Sequence, residues 1–166
     1  MPDAITIRCA MPSEREALEA LQRRASLANA GDRDDMWAHP EAIEIPMWQL
    51  ESGHVYVAER GGAVVGFAAI LTREDGETEL DAIFVDPRMW RRGIGQRLLK
   101  HCEDSARSLG SRALHLVGNQ HAQAFYIASG FKTIGVSKTR FGEGIVYQRT
   151  LGARPGNDRH GQGRGR

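Results

Sequence analysis

The stretch Val85–Gly110, VDPRMWRRGIGQRLLKHCEDSARSLG, leaves an apolar strand, passes Asp-Pro and a cluster of arginines, and enters a long amphipathic helix through Gly93-Ile94-Gly95. Ile94, Leu98, Leu99, Cys102, Ala106 and Leu109 recur at helical spacing, and Gly110 stands where a C-terminal glycine belongs. Two glycines at a helix start let the backbone approach a ligand closely, and arginines beside them point to an anion. A dinucleotide-binding fingerprint would need a third glycine where this chain has Leu98, and would sit near the start of the fold rather than after three strands and two helices. The Gly-Lys-Ser/Thr of a P-loop is absent. What remains is a cradle of backbone N–H groups from Arg92 to Gln96 at the positive end of the helix, or a plain tight turn with solvated arginines.

Before this stretch, ITIRCA alternates as a short strand, and PSEREALEALQRRASLANAGD reads as a helix. Ser13 with Glu16 makes a capping box, Leu18, Leu21, Ala25 and Leu27/Ala28 form the apolar stripe, and Gly31 is the stop. A proline-interrupted helical region, MWAHPEAIEIPMWQLES, follows. Two strands then flank a Gly61-Gly62 turn, and TELDAIFV supplies a third after Asp75-Gly76, predicting an antiparallel meander. Beyond Gly110, RALHLVG reads as a strand, NQHAQAFYIASG as a short helix ended by Gly130, and FKTIGVSKT with GIVYQRTL as a closing pair. The order is β-α-α-β-β-β-α-β-α-β-β, with a parallel, right-handed strand-helix-strand unit in its middle. The predicted fold class is α+β in three layers: a mixed, mostly antiparallel central sheet with helices on both faces.

The 166 residues, 41% hydrophobic and 26% charged, suit one globular domain, placed at residues 1–151. Residues 152–166 hold four arginines and one aspartate among five glycines, and are expected to form a disordered tail. Residues 1–151 then carry 18 basic against 20 acidic side chains, which argues against a polyanion binder, so nucleic acid is not an expected partner. Cys9 and Cys102 are far apart, and no Cys/His cluster implies a metal. With neither a signal-like start nor a membrane-length apolar run, the expected location is the cytoplasm, with no membrane partner.

In this order of elements, LDAIFVDPRMWRRGIGQRLL resembles the strand, loop and helix with which the GNAT superfamily of N-acetyltransferases binds the pyrophosphate of coenzyme A. NQHAQAFYIASGF is similar to that family's second segment, N-x-x-A-x-x-F-Y-x-x-x-G-F. The resemblance covers roughly residues 5–150 and departs at Trp90, where the family usually has Gln or Arg. It implies acetyl-CoA as cosubstrate, no metal, and a primary amine, small-molecule or peptide, as acceptor. The acetyl group would pass by direct attack. An acyl-CoA-binding sensor without turnover is the alternative, and a homodimer stays open.

Acetyl transfer needs a base for the amine's proton, a donor for the developing oxyanion and an acid for the leaving thiolate. The period of two in TELDAIFV puts Glu79, Asp81, Ile83 and Val85 on one face, so either carboxylate can serve as base unless both are merely solvated charges. By resemblance Glu79 comes first and Asp81 second. The resemblance also implies that main-chain groups of Phe84 and Val85 hold the pantetheine arm. The turn from Arg91 and Arg92 through Gly93, Ile94, Gly95 and Gln96 would hold the phosphates. Tyr126 would protonate the thiolate, although by itself it also reads as a core aromatic beside Phe125. Asn119 reads as the cap of that helix and is also a candidate for contact with the cofactor. Trp37, His39, Trp48, Tyr56 and Phe141 are the candidates for the acceptor pocket.

Overall fold

The computed structural model describes residues 4–139 and 142–152. Phe141 and the tail from 153 onward, both subjects of expectations above, lie outside the described residues. The elements are β1 (Ile5–Cys9), α1 (Arg15–Ala28), α2 (Ala30–Ala38), α3 (Met47–Glu51), β2 (Val55–Arg60), β3 (Ala63–Thr72), β4 (Thr78–Val85), α4 (Ile94–Ser108), β5 (Ala113–Gly118), α5 (Gln123–Ala128), β6 (Lys132–Thr139) and β7 (Gly142–Thr150). The expected order holds, and the proline-interrupted region resolves into α2 and α3.

Seven strands form one sheet in the order β1-β2-β3-β4-β5-β7-β6, antiparallel everywhere except at β4–β5. Each face buries its own cluster. Leu18 and Leu21 of α1 and Leu50 of α3 pack with Val55, Val57 and Phe67 on one side. Ile94, Leu98, Leu99, Cys102 and Ala106 of α4, with Tyr126 of α5, pack with Tyr56, Ala68 and Ile70 on the other. Full burial of a single Leu is worth roughly 1.5–3 kcal/mol, so these two stripes dominate the helices' attachment. Gly66 on β3 is what lets α4 lie so close: a Cβ there would stand 3.1 Å from the Phe84 carbonyl oxygen and 3.2 Å from Leu98 Cδ1.

Two helix boundaries differ from expectation. Ser13 and Glu16 make no capping box. A 3-10 turn over Pro12–Glu14 precedes α1, and the Glu14 carboxylate accepts the Met11 N–H at 2.8 Å while Arg8 grips it from β1. That ion pair draws Glu14, rather than Glu16, back over the helix start. Likewise Gly31 is no stop: α1 ends at Ala28, Asn29 turns extended (φ −90°, ψ 115°), and Gly31 falls inside α2.

Candidate active site

Strands β4 and β5 pair over only two positions, Thr78↔Leu114 and Glu79↔His115, and then diverge. Glu77 fixes this vertex by accepting the N–H groups of Arg112 and Ala113 at 3.0 Å each. On its other side β4 stays in register with β3 from Ala82 to Val85. Asp86 N–H donates to the Val65 carbonyl at 2.8 Å, which makes Asp86–Val65 a hydrogen-bonded pair. Because such pairs alternate along an antiparallel ladder, the N–H and C=O groups of Val85 and Ile83 turn away from β3 and into the gap. By the same alternation the peptide groups of Phe84 belong to the β3 ladder. Of the two residues expected to offer main-chain groups, Val85 therefore has them turned into the gap and Phe84 does not, while Ile83 does. Trp90 confirms the direction, since its indole Nε1 donates to the Val85 carbonyl at 2.8 Å.

The expected alternation along β4 breaks at Asp81. Ala69 pairs with Ala82 and Ile70 with Leu80, so Asp81 is the extra residue of a bulge. Leu80 packs in the same cluster as Ile83 and Val85, whereas Ala82 and Phe84 face the α1 side. Glu79 therefore does not share a face with Ile83 and Val85, as strict period two required. Asp81 Oδ2 accepts a hydrogen bond of 2.9 Å from Nε2 of Gln49, a buried residue of α3. Partial burial, followed by the nearby Asp81 charge, pushes the Glu79 carboxyl above its usual range.

At the end of β4, buried Asp86 is held by Arg88 through Nε (3.2 Å) and Nη2 (3.1 Å) and by Arg24 at 3.3 Å. The Arg88 contact foremost keeps the Asp86 carboxyl below its usual range. Arg88 thus braces the loop, while Arg91 and Arg92 are exposed. Arg91 has φ 64° and Gly93 φ 77°, and this left-handed pair turns the chain sharply into α4. The first hydrogen bond of α4 runs from Arg97 N to Gly93 O at 3.1 Å, so the amides of Ile94, Gly95 and Gln96 open the helix with no carbonyl behind them. Gln96 Nε2 bonds Ser129 Oγ at 2.8 Å and ties this end to α5.

Asn119 ends β5 and caps the turn before α5, accepting the Ala122 N–H at 3.1 Å, while its amide donates to Asp32 of α2. Tyr147 O–H donates to the Asn119 carbonyl at 3.2 Å. Tyr126 packs edge-on against Phe125 and Phe131, and burial first, then Tyr147 and Asp32, raise its hydroxyl to about 12. That hydroxyl has no hydrogen-bond partner among the described residues.

These parts surround one cavity of about 660 Å³. Asp81, Phe84, Val85, Arg91, Gly93, Ile94, Gly95, Gln96, Asn119 and Tyr126 all line it; Glu79 and Arg92 do not. Of the acceptor candidates, Tyr56 is buried in the α4-side core against His101 (ring centroids 4.5 Å), and Trp37 and Trp48 are 70% and 60% exposed. None of these, nor His39, reaches the cavity. Sequence reasoning missed Gln49 and the Trp90–Val85 bond, which have no local signal, and the bulge, whose one trace is the unbroken apolar run from Ala82 to Val85. No group of three or more His, Cys, Asp or Glu side chains among the described residues could hold a metal ion.

The fold is that of N-acetyltransferases of known structure. It matches the PaiA N-acetyltransferase of Thermoplasma acidophilum in complex with coenzyme A (TM-score 0.70, 18% identity, 89% of this chain and 99% of that one). It also matches the ribosomal-protein-S18-alanine N-acetyltransferase of Escherichia coli (TM-score 0.65, 22% identity, 93% and 98%). In sequence, the chain is 37% identical over 109 residues to the N-alpha-acetyltransferase RimI of Mycobacterium tuberculosis, covering 63% of this chain and 67% of that protein. The matches span between 40% and 67% of the length of the curated relatives. Residues 16–131 fit the family model of the GNAT acetyltransferases, and the chain belongs to that family.

Proposed function

We propose that the protein transfers the acetyl group of acetyl-CoA to a primary amine by direct attack. The observation that carries this reading is the wedge between β4 and β5, with the Ile83 and Val85 peptide groups along one wall and the open amides of α4 at its end. An extended amide-bearing arm can pair with that wall as an added strand, and a pyrophosphate fits the helix terminus beside Arg91 and Arg92. Val85 N–H, turned into the gap, is placed to polarise a thioester oxygen.

Asp81, on the cavity wall, takes the proton of the attacking ammonium; Glu79 stands behind it at the vertex. With that proton gone, the neutral amine nitrogen forms its bond to the acyl carbon, the carbon–sulfur bond breaks, the sulfur takes the Tyr126 proton, and the nitrogen's surplus proton goes to the Tyr126 oxygen, leaving a neutral amide. No Cys, Ser or Thr is among the described residues lining the cavity, and the Cys102 thiol, raised to about 12 by burial, lies in the core; both facts support direct attack over an acyl-enzyme. Likeness to the mycobacterial RimI supports a peptide N-terminus among the acceptors, and use of acetyl-CoA supports a cytoplasmic location.

Thiol release from acetyl-CoA should appear with at least one member of a panel of peptides, diamines and amino acids. Tight coenzyme binding with no acceptor-dependent release across that panel would instead favour a sensor.

A further inference from the structure

We infer that Gln49 is a positioning residue for the general base, orienting the Asp81 carboxylate in the cavity wall. The inference rests on the acetyl-transfer reading above. Asp81 is the extra residue of a bulge, so the regular ladder does not aim its side chain as it aims its neighbours. An exposed aspartate in such a place samples several rotamers, and proton abstraction needs one. Gln49 restricts it: Nε2 donates to Oδ2 at 2.9 Å, leaving Oδ1 without a protein partner among the described residues.

The donor is itself firmly placed. Gln49 is 4% exposed, and its neighbour Leu50, 2% exposed, packs in the α1-side core. Pro46, with φ −62° and ψ 140°, starts the short helix α3, and Gln49 N–H bonds the Pro46 carbonyl at 3.0 Å. Phase and depth of the amide are thus set by backbone rather than by a flexible surface chain. A buried amide with no partner is costly, which opposes any movement of Gln49 away from Asp81.

The type of donor matters as much as its place. Five residues further on, Asp86 is gripped by Arg24 and Arg88, and such an ion pair holds a carboxylate as a structural anion. Gln49 carries no charge. It fixes orientation without an ion pair, which is what a group that must accept a proton requires.

The test is a double-mutant cycle on turnover. Gln49→Met keeps length and volume and removes the donor. Its kcat should fall on the order of 10–100-fold, with the KM for acetyl-CoA within about twofold of wild type. In the Asp81→Asn background, the same substitution should cost nothing further. Gln49→Leu, uncharged and also unable to donate, should give the same non-additivity and replaces Gln49→Met if that variant melts too low. An equal fold-loss in both backgrounds would make Gln49 a packing residue and overturn the inference. So would an Asp81→Asn enzyme as fast as wild type, while leaving acetyl transfer standing. Absence of thiol release by the wild type itself would bring down that reading and the inference together.

Discussion

The indole of Trp90 donates a 2.8 Å hydrogen bond to the Val85 carbonyl, one of the main-chain groups that β4 turns into the cavity. The residue that departs from the family pattern thus occupies an acceptor that an added strand would use.

A ligand arm that uses the Val85 oxygen competes with the indole for it. Trp90→Phe removes the competing donor, and since a neutral hydrogen bond is worth about 0.5–1.5 kcal/mol, coenzyme A should bind roughly 2–10-fold more tightly. Titration calorimetry on both proteins reads this directly; an unchanged Kd means that the arm passes without using the Val85 oxygen.

Gly93 holds φ 77° with open space where a Cβ would stand. Gly93→Val therefore meets backbone strain of about 1–2 kcal/mol or more rather than a clash. The melting temperature of the free protein should fall, and the rise produced by acetyl-CoA should vanish, because the amides of the helix start are re-aimed. A wild-type thermal shift in Gly93→Val would separate phosphate binding from this turn.

With its hydroxyl raised to about 12, Tyr126 stays protonated through ordinary working pH. Turnover should rise with pH as the amine and its base lose protons, with no decline due to Tyr126 below about pH 11. Tyr126→Phe should lower kcat by on the order of 10²–10⁴ at every pH, with coenzyme affinity little changed. A variant matching wild type where chemistry limits the rate would return this ring to a packing role.

Glu79 bears on stability. Its carboxyl is raised above the usual value, foremost by burial, so the fold favours the protonated form. That contribution is fully present below the unfolded value, about 4.3, and is lost as pH rises through the raised folded value. Glu79→Gln removes the ionisable group. The variant should match the wild-type melting temperature near pH 4 and exceed it by on the order of 1–2 °C at pH 7–8. A constant difference across that range would refute the assignment.

Element order and the glycine turn that opens α4 are legible in the chain because both rest on local rules. The stripe from Ile94 to Ala106, the turns at Gly61-Gly62 and Gly76, and the Asn119 cap each depend on residues close in sequence. Other features depend on partners far along the chain. Glu14 takes the place of Glu16 because Arg8 lies beside it in space. Asp81 leaves its expected face because β3 lacks one residue against β4. Gln49 meets Asp81 across 32 positions. Tyr126 is singled out by a pattern of residue types, yet its place on the cavity wall, with no hydrogen-bond partner for its hydroxyl among the described residues, is a property of the assembled fold.

The two-position contact between β4 and β5 makes the sheet a pair of rafts, β1 to β4 and β5 to β6, joined by a short seam. Its inner end is stitched by the buried Thr78–Ser111 hydroxyl pair at 2.6 Å. Opening at the seam breaks fewer ladder bonds than opening within either raft, so amide exchange in the free protein should begin there. Under the proposed function, a metabolite lying along β4 would close the seam with backbone bonds of its own. The resistance of the chain to heat and proteolysis in a cell would then follow the supply of that metabolite.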